Sequence, residues 1–180
     1  MNQKNKKAPL FLAQAALVAA MYAVLTLVQQ LIFPNSASLA VQYRLSEALM
    51  ILCLFNSAAV PGLTLGCFAA NFLFMSSLPV DMLFGSLATL LAALCMRALR
   101  GVTVKGFPVL SFLMPALFNG VIIGAEIEIF FIEGSFRFSD FLLQGGLVAL
   151  GEIAVMFTAG TVFFFAVKKK LVGHVPFFKA

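Results

Sequence analysis

Apolar residues dominate this chain in long runs, and the polar residues that break the runs fall at regular intervals. The first run covers about 10–33 and stops at Pro34 and the turn pair Asn35-Ser36. A second, shorter run over 45–55 opens with Arg44 and Glu47 and closes at Asn56. Further runs cover about 60–75, 79–99, 108–131 and 139–167. Stretches of some 20 apolar residues match the hydrocarbon thickness of a bilayer when helical, so the pattern predicts an all-α bundle of six membrane helices. The second run is too short to span comfortably. It is expected to be preceded by irregular chain over 39–43 entering the membrane, which requires a cavity lined by protein or water. Pro115 and Gly120 are positions at which the fifth helix could be interrupted.

Composition strengthens this reading. The chain is 62% hydrophobic and 11% charged, which leaves too little polar surface to cover a water-soluble globule of 180 residues. One transmembrane domain covering 1–180 is expected, without room for a soluble catalytic or nucleotide-binding module. The apolar stretch after Lys7 is longer than the h-region of a cleaved leader and reads as a retained span. Cys53, Cys67 and Cys95 show no short metal spacing and read as small packing residues.

Charge supplies orientation. Ten of the twelve basic residues (Lys4, Lys6, Lys7, Arg97, Arg100, Lys105, Lys168, Lys169, Lys170 and Lys179) fall on one side of a six-crossing ladder, with no acidic residue among them. The bias of Lys and Arg toward cytoplasmic flanks then places both tails, 1–9 and 168–180, in the cytoplasm. The net charge of +5 arises from these flanks, so it describes topology and gives no reason to expect a nucleic-acid partner.

The carboxylates collect at the opposite end. An ionisable side chain inside a span costs about 2.5–3.5 kcal/mol on insertion scales, so each needs a partner or a purpose. Glu152 falls near the middle of the last helix. Asn119 and Glu126, seven residues apart, share a face of the fifth helix and can offer an amide and a carboxylate to one ligand. Glu128 is turned about 200° from Glu126 and cannot face the same pocket. Arg44 and Glu47 are either a helix-surface pair or part of the site lining. Asp81, in a first helical turn, is partly explained by the helix dipole, and Asn71 by a bridge between helices; Asp140 is explained by capping. Glu133, Arg137 and His174 read as solvated. A phosphate loop, a zinc-binding helix and a nucleophile elbow are all missing from the sequence, so binding is expected rather than catalysis, with no cofactor and no metal. Rival classes are an intramembrane enzyme using Glu126 and Glu152, an assembly subunit, and a secondary transporter acting alone.

Two stripes of small residues suit close helix approach. One is Ala15, Ala19 and Ala23, with Ala16 and Ala20 one step round; the other is Gly62, Gly66 and Ala70. Alanine is also simply common in spanning helices, and both readings of the first stripe stand at this level.

Longer motifs carry a resemblance. The runs 41–49 (VQYRLSEAL), 62–71 (GLTLGCFAAN) and 81–90 (DMLFGSLATL), with 117–119 (LFN), 124–126 (GAE) and 151–152 (GE), resemble the queuosine-precursor transporter family, QueT. The resemblance extends from about Ala15 to Glu152; the tail after Lys170, Glu128 and Glu133 lie outside it. It implies a six-helix substrate-binding S component of an energy-coupling factor (ECF) importer in the bacterial cell membrane. Such a subunit captures queuine or a pre-queuosine base from outside and docks on a coupling transmembrane subunit with two ATPase subunits. It also implies that Ala15, Ala19 and Ala23 form the docking face. Glu47, Asn71, Asp81, Asn119, Glu126 and Glu152, with Arg44, are then the expected substrate contacts. Another vitamin-like solute, such as a flavin or folate, could use a similar set of groups.

Overall fold

The computed structural model describes residues 4–34, 43–73, 79–172, 175 and 177. The turn at 35–36, the irregular entry expected over 39–42, His174 and Lys179 fall outside them. Among the described residues the architecture is all-helical, and strand-like pairing is confined to one bridge between Val104 and Phe107. The elements are α1 (Lys4–Ile32), a 3-10 helix (Leu45–Leu54), α2 (Ala59–Leu73), α3 (Pro79–Ala98), α4 (Val109–Phe130) and a long last helix, α5 (Phe138–Leu171). Four helices are long and apolar enough to cross a membrane: α1 from Ala8, α3, α4 and α5. The 3-10 helix and α2 are shorter apolar helices. Large apolar side chains such as Leu17, Val24, Leu65, Leu83, Leu117 and Val162 remain exposed around the bundle, as a surface solvated by lipid requires.

The segments alternate in direction between two ends. At one end the Asn56 amide donates to Gln14 Oε1 (3.1 Å) and to the Phe177 carbonyl (2.6 Å). Arg97 donates to the Cys53 carbonyl at 3.1 Å and Lys168 to the Gly106 carbonyl at 3.2 Å there. This basic end is closed by packed rings of Phe107, Phe112, Phe157 and Phe164. At the other end Gln29 meets the start of the 3-10 helix, Asn71 meets Asp81, and Glu128 accepts from the Arg137 amide at 2.8 Å.

The second segment is a 3-10 helix of ten residues, and Ser46 to Leu54 are all buried. A 3-10 helix rises about 2.0 Å per residue, so ten residues reach roughly 20 Å where an α-helix would reach about 15 Å. The tighter winding lets a short segment extend from Arg44 at one end to Asn56 at the other. Its sequence is apolar on all sides after Glu47, as burial by helices all round demands.

Small residues set the helix spacing. A Cβ on Gly62 would lie 2.7 Å from the Ala15 carbonyl oxygen, and one on Gly66 2.7 Å from Tyr22 Cβ. Ala15 is buried, Ala19 and Ala23 are half-buried, and Ala16 and Ala20 are exposed. The Ala15–Ala19 face of α1 is therefore packed against the glycine stripe of α2. Gly120 and Gly124 of α4 meet Gly145 of α5 in the same manner. Pro115 and Gly120, where an interruption was possible, do not break the helix: α4 runs through both, and Gly120 serves close packing instead. The irregularity lies in α5, which changes to π-helical winding over Met156–Gly160, one turn beyond Glu152, and again over Val167–Leu171.

Gly145 and its neighbour provide a matched test. A Cβ at Gly145 would sit 2.5 Å from the Gly120 carbonyl oxygen, whereas one at Gly146 meets nothing within 4 Å. Gly145→Ala should destabilise the bundle by about 1–3 kcal/mol, because backbone must shift. Gly146→Ala should be neutral or stabilising by up to about 1 kcal/mol, since alanine is the better helix former. Thermal unfolding in detergent checks this, and equal midpoints for the two variants would refute backbone contact between α4 and α5.

Candidate functional site

The seven residues expected to contact the substrate lie in the part of the bundle remote from the lysines, and most turn inward. Glu47 is 1% exposed, Glu126 1% and Glu152 5%, in a molecule whose outer surface is apolar. Asn71 and Asn119 are buried, while Arg44 and Asp81 are half-buried.

The 3-10 helix brings Glu47 into contact with α1. Glu47 Oε1 accepts a hydrogen bond from the Tyr22 hydroxyl. One and two turns further along α1, Thr26 donates to Ser46 Oγ at 2.8 Å, and Gln29 accepts from the Leu45 amide at 2.7 Å while donating to the Tyr43 carbonyl. Tyr22, Thr26 and Gln29 thus form a polar stripe that fixes the first turn of the 3-10 helix, where backbone amides lack internal partners. That stripe was absent from the sequence reading. Its spacing of four and three residues within an otherwise apolar helix was the available signal.

Arg44 and Glu47 do not form a surface pair. Glu47 points into the bundle, and Arg44 donates to Cys67 Sγ at 3.9 Å. Asn71 donates to the same sulfur at 3.7 Å and to the Asp81 carbonyl at 3.1 Å. Cys67 is therefore more than a packing residue, because it joins Arg44 to Asn71. The bridge from Asn71 to α3 is as the sequence suggests.

Two further groups complete the cluster. Asn119 of α4 donates to Glu152 Oε1 of α5 at 3.1 Å. Glu126, two turns along α4 from Asn119, has Asp81 of α3 as its acidic neighbour. The charge of Arg44 acts on Glu47, Glu126 and Glu152 alike, and Glu47 acts on Glu152. The seven residues come from five helices to one region of the bundle, where the charge of Arg44 reaches three of the carboxylates.

Glu128 faces elsewhere. It is buried and holds the loop before α5 through the Arg137 amide, while Arg137 pairs with Asp140. Asp140 is not the cap expected from the sequence: Arg137 holds the cap position without a side-chain cap bond, and Asp140 lies in the first turn, where it pairs with Arg137; the separation of Glu128 from Glu126 agrees with this geometry.

Glu47 Oε2, Glu126 Oε1 and Glu152 Oε2 are buried and accept no hydrogen bond. A buried acceptor without a donor costs about 1–3 kcal/mol, more if it is charged. Three such oxygens in one cluster form an arrangement suited to a solute bearing several N–H donors. Among the described residues no group of His, Cys, Asp and Glu has the geometry to hold a metal ion. A separate groove of about 440 Å³ between α4 and α5, lined by Leu113, Leu117, Val121, Phe141 and Leu142, is apolar and lies away from the carboxylates.

Comparison with known proteins covers nearly all of this structure. Residues 12–169 match the family described as QueT transporter, a span that contains every member of the cluster from Tyr22 to Glu152. A curated relative, the queuosine precursor transporter QueT of Lactococcus lactis subsp. cremoris (strain MG1363), is 32% identical over 155 residues, covering 79% of this chain and 83% of the relative. No solved structure matches the chain. A multi-helix membrane protein whose matched region spans α1 to α5 with its buried carboxylates, the chain belongs to the QueT transporter family.

Proposed function

We propose that the chain is the substrate-capture S component of an ATP-driven ECF importer in the bacterial cell membrane, binding a 7-deazaguanine such as queuine or a pre-queuosine base. The observation that carries this reading is the set of three buried carboxylate oxygens without donors, gathered round Asn119 and Arg44. A guanine-like edge presents adjacent N–H donors that a carboxylate accepts in parallel, and its carbonyl accepts from an amide. The relative from Lactococcus lactis, named for a queuosine precursor, supports the same solute class. The contacts proposed are Glu47, Asn119, Glu126 and Glu152, with Asn71, Asp81 and Arg44 around them.

Orientation follows from the positive flanks. Six crossings, counting the 3-10 helix and α2, put the basic end in the cytoplasm with both tails and open the carboxylate end outward. In this reading, energy comes from a coupling transmembrane subunit with two ATPase subunits. Docking on that subunit uses the first helix. Because Ala15 is buried against α2, with Ala19 and Ala23 half-buried beside it, an approaching helix first meets the exposed Ala16 and Ala20, and the Ala15–Ala19–Ala23 stripe supports that face from behind.

Binding tests the site directly. Glu152→Gln and Glu126→Gln should each weaken binding of queuine or its precursor bases about tenfold or more, since a donor on the ligand loses its charged acceptor. Calorimetry on the detergent-purified chain measures this, and wild-type affinity in both variants would make these carboxylates structural. For topology, a cysteine at position 103 should resist membrane-impermeant reagents applied to intact cells; labelling from outside would eliminate the six-crossing arrangement. For docking, Ala16→Phe and Ala20→Phe should lower uptake while ligand affinity of the isolated chain is retained. Ala15→Phe should also lower the melting temperature, because Ala15 is buried and leaves no room for a ring. Uptake unaffected by both outward variants would remove this face of α1 from docking.

A further inference from the structure

Three consecutive residues at the head of the 3-10 helix meet three residues of α1 in the opposite order. Gln29 Oε1 accepts from the Leu45 amide at 2.7 Å, Thr26 donates to Ser46 Oγ at 2.8 Å, and the Tyr22 hydroxyl donates to Glu47 Oε1. The first two contacts tie down backbone and a short hydroxyl side chain. The third engages a carboxylate of the candidate site. Tyr22 is fully buried and belongs to the apolar core with Val18, Leu63 and Cys67. Gly66 of α2 leaves room for it, since a Cβ there would lie 2.7 Å from Tyr22 Cβ. The chain has 21 phenylalanines and two tyrosines, so filling this core position with a ring does not by itself call for a hydroxyl.

One hydrogen bond matters here because the head group of a glutamate is otherwise loosely set. The torsion that turns its carboxylate is broad and roughly two-fold, so fixing the backbone of Glu47 leaves the direction of its oxygens open. A phenol hydroxyl on Oε1 removes that freedom. Glu47 Oε2 is left buried and without a donor among the described residues. Glu152 repeats the pattern: Asn119 donates to its Oε1 at 3.1 Å, and its Oε2 is bare in the same sense. In both acids a side chain of another helix holds one oxygen, and the second oxygen stays available inside the bundle.

Resting on the reading of Glu47 as a solute contact, we propose that Tyr22 is a positioning residue of the binding site. It holds Glu47 by Oε1, so that Oε2 is aimed at the N–H donors of the bound base. Tyr22 acts on the solute through Glu47 alone. The polar stripe of α1 therefore divides in role: Thr26 and Gln29 secure the segment, and Tyr22 sets the direction of the carboxylate that the segment carries.

The test uses the full chain purified in detergent, with queuine and 7-aminomethyl-7-deazaguanine as probes. Tyr22→Phe keeps the ring and removes the donor, and calorimetry should show affinity lower by about three- to tenfold, the scale of one side chain that must be ordered on binding. In a Glu47→Ala background the same substitution should change affinity by less than about twofold, because the residue it acts through is gone. Gln14→Met is the control: it removes the α1 contact to Asn56 at the basic end, so it should lower thermal stability and leave affinity within about twofold. A second measurement serves if Tyr22→Phe does not yield monodisperse protein. Since the chain has two tyrosines, 3-fluorotyrosine incorporated into a Tyr43→Phe chain labels position 22 alone. Saturating queuine should move that fluorine resonance, and the movement should vanish in Glu47→Ala. Wild-type affinity in Tyr22→Phe, an undiminished effect of Tyr22→Phe without the Glu47 side chain, an equal loss of affinity in Gln14→Met, or an unmoved resonance would overturn the positioning role while leaving the deazaguanine reading intact. If neither probe binds the folded wild-type chain, the deazaguanine reading itself fails and the positioning role fails with it.

Discussion

Arg44 is the one basic side chain among the described residues that acts on the buried carboxylates of three separate elements: the 3-10 helix, α4 and α5. Inside an apolar bundle an isolated carboxylate would be too costly to keep ionised, and several together would repel. A guanidinium nearby reduces both costs without cancelling them, because three of the acids, Glu47, Glu126 and Glu152, share one cation. The arrangement of the upper helices serves this constraint. Tyr22, Thr26 and Gln29 of α1 fix the first turn of the 3-10 helix that carries Arg44 and Glu47. Cys67 and Asn71 of α2 hold the Arg44 side chain and the start of α3.

Arg44 is the extended residue that precedes the 3-10 helix and Glu47 lies in its first turn, so the two are held together at the head of one segment. A surface α-helical pair would lean against one another in water. Here both enter the interior, and each makes its own contact, Glu47 with Tyr22 and Arg44 with Cys67. The rest of the segment, from Ala48 to Leu54, is an apolar post buried by the surrounding helices, so the polar turn at its head is anchored by burial below.

Close packing by glycine and alanine supplies the rigidity that a precise arrangement of buried acids needs. Lipid gives helices little hydrophobic reason to associate, so contact area must come from backbone approach. The pairs α1 with α2 and α4 with α5 are both built this way, through Gly62 and Gly66 in one and Gly120, Gly124 and Gly145 in the other. Each pair contributes to the cluster: Arg44 meets Cys67 next to the first, and Asn119 meets Glu152 next to the second. The π-helical turn at Met156–Gly160 lies just past Glu152 and offsets the face of α5 on which that carboxylate sits relative to the aromatic floor below.

The sequence by itself determined the all-helical class, the membrane setting and the approximate course of the apolar helices, because these depend on local hydropathy and on flanking residues within one segment. It also named the acidic and amide members of the cluster, since an ionisable group in an apolar run is conspicuous wherever it occurs. Only the tertiary structure decided what those groups do to one another. Tyr22 and Cys67 look like ordinary apolar-span residues in one dimension, and their roles arise from contacts 25 and 23 residues away. The Ala15 stripe could face a partner protein or a neighbouring helix with the same spacing; α2 occupies it because Gly62 and Gly66 lack the Cβ atoms that would keep the backbones apart. Likewise Pro115 and Gly120 are positions at which α4 could be interrupted, yet it continues through both, and Gly120 lies against the Gly145 backbone instead. Spacing along a chain states which residues share a face, and the shape of the neighbouring helix settles what that face meets.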